Sequence, residues 1–373
     1  MNYFSIPADF RETTIKKIAD LNNEYCQSKV IEVYGQATDT NFNASGRIID
    51  MIPEVQIKQL ERYVYKCSNN NITFNYLLNP SCTGNAEFNK ESQKKIYNLI
   101  KKLLDCGIRR FTITAPSLVE LLVSIDNRIE IKISAINEIN SPLKALFYKS
   151  IGAKRIVVDP DINRDFYILK NIAETFSGST EVIVNILCYK NCAYKMFHYN
   201  HEAHCKMMEE NETITSYYFN RCYLQKASAP ENFLKINWIR PEDLHYYNKI
   251  GISHFKIQGR QNIIQGDIIR TLKAYFNEKY SGNLMDLITL FYPYNSFQPH
   301  IDNEKLDGFL APFFTNTGFC SQLCNKCRHC WDYASKCMDI SATNCLNDQA
   351  RLFYSEIDKY RKTICNIANE KIF

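Results

Sequence analysis

Nine of the fifteen cysteines in this 373-residue chain fall into two groups, at positions 188, 192, 205 and 222 and within the segment from Cys320 to Cys337. Thiolates are soft ligands for zinc and for iron–sulfur clusters, and Cys320-x3-Cys324-x2-Cys327-x2-Cys330 puts four of them within about two or three helical turns. Four ionised thiols at that spacing repel one another unless they stay protonated or hold a cation, and a metal is the better resolution. In the first group the spacing Cys188-x3-Cys192-x12-Cys205-x16-Cys222 is too loose for a zinc knuckle. It suits a cluster held by a loop that folds back on itself. His198, His201 and His204 lie among these cysteines and keep a mixed Cys/His zinc site open. Loose cysteines are also, simply, small buried hydrophobes.

In the second group the spacing is nearer to ferredoxin-type ligation than to zinc ribbons, whose two Cys-x2-Cys units stand a dozen or more residues apart. Iron–sulfur is therefore the first expectation there and zinc the alternative, with Cys337 or Cys345 able to replace one ligand. Cys26, Cys67, Cys106 and Cys365 fall on expected helices and read as packing residues. Cys82, after an expected strand, could approach the first group.

The same cysteines would mean disulfides in a secreted protein. Met1-Asn-Tyr-Phe-Ser-Ile-Pro carries no basic segment followed by an apolar one, and fifteen is an odd number, so the expectation is a reduced, cytoplasmic chain. No apolar run reaches the ~18 residues that span a bilayer. With 45% hydrophobic residues the composition is that of a folded globular protein. A net charge of +5 is spread through helices, which permits RNA binding without indicating it.

The elements that must position these residues alternate. Short β-branched runs at 29–34, 72–77, 110–114, 130–134, 155–159, 181–187, 234–238 and 254–258 are separated by segments with helical apolar spacing at 55–64, 93–104, 117–124, 142–151, 166–176, 241–250 and 266–280. Gly107, Gly152 and Gly251 each stand between a helix and the next strand, as helix C-caps do. Eight such units over residues 1–280 predict an α/β fold of the TIM type, a (β/α)8 barrel. An open doubly wound sheet is disfavoured, because the first βα turn lacks a Gly-x-Gly-x-x-Gly loop.

Barrel enzymes carry their chemistry at the C-terminal strand ends. Cys188 follows the sixth of the expected strands and opens the long insertion 188–230. Polar candidates at other strand ends are Glu32, Asn75, Asn185, Arg240, Lys256 and Arg260. Residues 281–373 form a separate cysteine-rich metal-binding module, closed by an amphipathic helix over 348–368.

At named residues the chain resembles the peptidase U32 family, whose members include proteins of oxygen-independent ubiquinone and RNA hydroxylation. Glu181-Val-Ile-Val-Asn-Ile-Leu-Cys188 resembles the strand that delivers the family's first cluster cysteine. Leu234 to Leu244 and Ile250 to Arg260 resemble its closing βα unit, ending in Lys-Ile-x-Gly-Arg. The likeness spans about residues 25 to 280, and the cysteine spacing differs from that of the best-known members. It implies a [4Fe–4S] cluster on Cys188, Cys192, Cys205 and Cys222; the second metal site, at Cys320, Cys324, Cys327 and Cys330 or with Cys337, rests on the cysteine spacing alone, with zinc as the alternative.

The leading functional expectation is thus an oxygen-independent iron–sulfur enzyme, of which hydroxylation is one form, acting on a peptide, RNA or small molecule. An electron-donor protein would be its partner. The alternatives are a peptidase, although no His-Glu-x-x-His or Gly-x-Ser-x-Gly motif occurs, and a zinc-containing scaffold that binds nucleic acid or protein.

Overall fold

The computed structural model describes residues 1–40, 46, 52–176, 179–204 and 217–355. Eight parallel strands close in chain order, with β1 pairing both β2 and β8. The alternation runs β1 (Asn2–Pro7), α1 (Glu12–Glu24), β2 (Ser28–Gly35), α2 (Ile57–Ser68), β3 (Thr73–Leu78), α3 (Lys90–Asp105), β4 (Arg110–Ile113) and α4 (Pro116–Ile125). It continues β5 (Glu130–Ile133), α5 (Pro142–Ser150), β6 (Ala153–Val157), α6 (Phe166–Thr175), β7 (Thr180–Ile183), α7 (Lys195–His204), α8 (Tyr217–Lys226), α9 (Leu244–Lys249), β8 (His254–Lys256) and α10 (Ile268–Phe276). The expected TIM-type barrel is the fold.

Local chemistry sets the helix starts. The Asn89 side chain accepts from the Glu91 and Ser92 amides at 3.0 and 3.1 Å to start α3, and Asp165 and Asp267 do the same for α6 and α10. Gly107, Gly152 and Gly251 have φ of 83°, 105° and 86°, as expected between helix and strand.

One expected strand is wrong and one was missed. Residues 234–238 alternate like a strand, yet their carbonyls accept from side chains instead of a neighbouring strand: Arg164 donates to Leu234 O and Ile236 O at 2.6 and 2.5 Å, and Asn163 to Asn237 O at 2.9 Å. The barrel is completed by Asn2–Pro7 at the other end of the sequence, where Phe4 packs on Tyr275 and Phe276 of α10. Cys188 therefore follows the seventh strand, which ends at Ile183, and the insertion connects β7 towards β8.

Alternation along the strands sends Phe4, Phe111, Ile131, Val182 and Phe255 into the apolar core and brings polar residues inside the barrel. Lys132 on β5 forms a salt bridge with Glu32 on β2 and reaches Glu181 on β7 at 3.1 Å, while Ser5 on β1 donates to Glu181. None of these pairs joins adjacent strands, so β1, β2, β5 and β7 meet in them only across the barrel interior. Arg110 closes the lower side on Glu32 at 3.1 Å. Glu32 and Lys132 are fully buried. Burial alone would raise the Glu32 pKa, but Lys132, Arg110 and Arg155 together hold it well below the usual carboxylate range.

After the barrel, α11 (Leu284–Ile288), α12 (Ala311–Thr315), α13 (His329–Cys337) and α14 (Ile340–Tyr354) follow. Leu287, Leu306, Phe309 and Phe313 of this region belong to the same continuous core as the barrel. The expected closing helix over 348–368 begins earlier, at Ile340, and its residues 356–368 lie outside the described ones. Among the described residues no helix is long and apolar enough to cross a membrane.

Removing one member of a buried ion group strands the others without compensation, so Lys132→Met should lower unfolding stability by about 3–5 kcal/mol in urea titration. The carboxylate Glu32 has its folded pKa depressed, so its stabilisation is complete above its ordinary value near 4.5 and is lost as pH falls below it. Unfolding followed from pH 6 down to pH 3 should show that loss, and the Glu32→Gln variant should show a shallower one.

Candidate functional site

At the C-terminal ends of the strands lies a cavity of about 70 Å³, lined in part by Tyr34, Asn79, Ser134, Lys256, Gln258 and Arg260. The Lys256 ammonium sits 4.1 Å from the centre of the Tyr34 ring, whose hydroxyl donates to Ile257 O at 2.7 Å. Burial pushes the Lys256 pKa down to about 8, against the pull of Glu181 and with the help of Lys132 and Arg260. Arg260 donates to Gln36 Oε1 at 3.0 Å. It follows Gly259, whose φ of 129° favours glycine and where a Cβ would lie 2.7 Å from Leu290 Cδ1.

Of the six expected catalytic residues, the structure brings Lys256 and Arg260 to this cavity. Glu32 belongs to the ion group below it, and Asn75 accepts from Thr112 at 2.8 Å in the interior. The Asn185 amide stitches loops together, donating to Gln258 O at 2.8 Å and Ile288 O at 2.9 Å and accepting from Gln258 N at 2.7 Å. Arg240 is turned to the C-terminal region: it pairs with Asp243 at 2.9 Å, donates to Asn303 O at 2.8 Å and meets Asp307 at 3.1 Å. Its role there is to fasten that region to the barrel.

The insertion crosses the mouth. Lys195, at the start of α7, bonds Asp161 at 2.6 Å, Asp159 at 3.0 Å and Glu138 at 3.2 Å beyond β5 and β6. Asn200 accepts from Ser81 at 2.7 Å, and Tyr199 reaches the mouth cavity. His198 and His201 of α7 pack on Tyr218 of α8, with ring centres 6.1 and 5.6 Å apart.

This packing brings Cys192, ahead of α7, against Cys222 within α8. The proximity of the two thiols lowers the Cys222 pKa to about 5, helped by Lys226, the backbone at Tyr189 and His198 and opposed by burial. Cys192 moves upward for the same reason, with burial, Cys222 and Cys188 contributing. Cys205 lies outside the described residues.

Cys320, Cys324, Cys327 and Cys330 all line a second cavity, of about 480 Å³, together with Tyr189, Arg164 and Trp331. Burial pushes the Cys330 thiol up to about 11, with the nearby Arg164 opposing it. Cys337 is not brought to them: it is buried in the hydrophobic core two turns along α13. Exposed Cys345, within α14, lies outside the cavity lining too. The two cysteine groups abut, because Tyr189 lines the second cavity and Asn191 donates to Gln322. Among the packing cysteines, Cys67 is buried as expected, whereas Cys26 is exposed beyond the end of α1. Cys82 is exposed and accepts from the Gly84 amide, and Cys365 lies outside the described residues.

No family profile matches the chain. An uncharacterized protease of Methanocaldococcus jannaschii is 30% identical over 344 residues, covering 90% of this chain and 99% of that protein. The chain belongs to the peptidase U32 family. A solved structure of a U32 peptidase is 14% identical and covers 69% of this chain and 92% of its own, with a TM-score of 0.48.

Sequence reasoning on this U32 chain missed Lys132, Glu181 and Lys195. A charged residue in mid-strand of a parallel barrel has nowhere to go but the interior, and that signal was present in Glu130-Ile-Lys-Ile-Ser and Thr180-Glu-Val-Ile. Lys195 gave none.

The donor chemistry of both cysteine groups suits a soft metal: a thiolate beside a thiol in the first, four thiols around one cavity in the second. Among the described residues, however, no three His, Cys, Asp or Glu side chains stand close enough together to hold an ion. Any cluster at the first group needs closure of these ligands and the contribution of Cys205.

In reduced, metal-free protein at pH 6.5, Cys222 should react with iodoacetamide at least tenfold faster than Cys192, as read by peptide mass spectrometry. Lys195→Met should raise hydrogen exchange of the α7 amides by about tenfold, with the barrel strands unchanged.

Proposed function

We propose that this U32 protein is an oxygen-independent iron–sulfur enzyme that modifies, and by resemblance hydroxylates, a substrate bound at the barrel mouth. The observation that carries the reading is the meeting of Cys192 and Cys222. They stand thirty positions apart at opposite ends of the insertion, yet their thiols lie close enough, beside Cys188, to shift one another's titration, at the end of the barrel where such folds do chemistry. Cys188, Cys192, Cys222 and Cys205 would hold a [4Fe–4S] cluster, which when bound supplies one-electron transfer. The chain's own groups do the rest: α7 roofs the mouth through Lys195 and limits water entry, while Lys256, Arg260 and Gln258 orient the substrate. The second thiol group, abutting the first through Tyr189 and Asn191, would hold a second cluster, or zinc, in position to exchange electrons with a donor protein.

The name of the Methanocaldococcus jannaschii relative favours a second reading, peptide hydrolysis. Anaerobic purification followed by iron, sulfide and zinc analysis and an absorption spectrum separates the two. Iron with sulfide and a broad band near 400 nm is the expected result, and zinc as the sole metal sinks the redox reading. Cys188→Ala and Cys324→Ala should each remove about half of the iron if there are two clusters. Release of peptides from a broad pool by protein lacking iron would favour hydrolysis.

A further inference from the structure

We propose that the mouth cavity is a built site for a small oxyanion, a carboxylate or phosphate group of the substrate, held between Lys256 and Arg260. The inference deepens the reading of the mouth as the substrate site and rests on it.

The cavity is lined by two cationic side chains, each less than a tenth exposed, and no Asp or Glu is among its described lining residues. Lys256 reaches it from the end of β8, and among the described residues no carboxylate forms an ion pair with its ammonium. Glu181, the nearest compensating charge, is already engaged by Lys132 and Ser5. What the ammonium meets instead is the face of Tyr34, at 4.1 Å. A buried ammonium without an ion pair to any described carboxylate is costly to keep charged, and an anion entering the cavity relieves that cost. Its low pKa agrees with this.

A second observation points the same way. Asn79 lines the cavity, and its Oδ1 is buried without a hydrogen-bond partner. Native interiors leave few such atoms unsatisfied, so an acceptor of this kind suits a ligand that carries a hydroxyl or N–H beside its anionic group. At about 70 Å³ the cavity admits such a head group and little more, so the remainder of the substrate must extend outward beneath α7. Arg260 is fixed in place by Gln36 and by the turn at Gly259, which suits a positioning cation better than a mobile surface arginine.

Calorimetric titration of the anaerobically purified full chain with inorganic phosphate and, separately, with acetate at constant ionic strength in chloride tests the proposal. One-to-one binding of at least one of them is expected, and which anion binds assigns the head group. Lys256→Met and Arg260→Gln should each weaken binding at least tenfold, while Lys101→Met, on the outer face of α3, should leave it unchanged. Should Lys256→Met fail to fold, Arg260→Gln and the pH dependence of the unmodified protein still decide. Lys256 faces Glu181, Glu32, Lys132, Arg260 and Tyr34, and with its pKa about 8 the acetate affinity should fall roughly tenfold between pH 7 and pH 9 as it loses its proton. Binding no stronger than chloride for both anions, or equal binding by wild type and both variants, overturns the site. Iron measured in the same samples keeps the outcomes apart: anion binding without iron sinks the redox reading alone, and iron without anion binding sinks this inference alone.

Discussion

A buried ammonium held between two buried carboxylates is the constraint on which this barrel depends. Lys132 meets Glu32 and Glu181 across the interior, where most barrels pack branched aliphatic layers. Such a group is stable only when every member is present and aligned, since each charge is desolvated and repaid by its partners. It therefore fixes the relative register of β2, β5 and β7, which share no backbone ladder. Directly above it stands Lys256, whose charge is tuned by the same carboxylates. The floor of the mouth and its electrostatics are thus one structure, and the residues that hold the barrel together also set what it can bind.

Over that floor the chain lays two covers that carry the cysteines. The insertion is fastened by Lys195 to three carboxylates at the ends of β5 and β6. The C-terminal region is fastened by Arg164 and Arg240, both buried. Arg164 also lies 4.8 Å from the ring centres of Trp238 and Phe309 and borders the cavity of the four thiols. A cation at that point has a double use: it satisfies the carbonyls of Leu234 and Ile236, and it opposes the upward push of burial on the Cys330 thiol. The covers touch each other at Asn191 and Gln322, which makes the two cysteine groups neighbours.

Much of the barrel was legible because parallel strands buried on both sides advertise themselves in β-branched runs, and glycine after a helix marks its end. Seven of the eight strands and the helices α2 to α6, α9 and α10 follow from that pattern, while α1 and the insertion helices α7 and α8 do not. The exception is instructive. Leu234-Lys-Ile-Asn-Trp has the alternation of a strand, and nothing local distinguishes it from Asn2-Tyr-Phe-Ser-Ile-Pro. What separates them is that Asn163 and Arg164, seventy residues away, occupy the carbonyls of the first, while the second finds β2 and β8 on either side. The site was legible to the same degree. Lys256 and Arg260 stand where a strand end should place them, but Asn185 and Arg240, equally polar and equally at the ends of expected strands, are committed to holding loops and tail.

By itself the sequence determined the elements, their order and the kinds of donor available, because side-chain periodicity and cysteine spacing are local properties. Which donors meet is not local. The contact of Cys192 with Cys222, the separation of Cys337 from Cys330, and the ion group under the mouth each join residues through barrel closure and helix packing, and only the tertiary structure decides those.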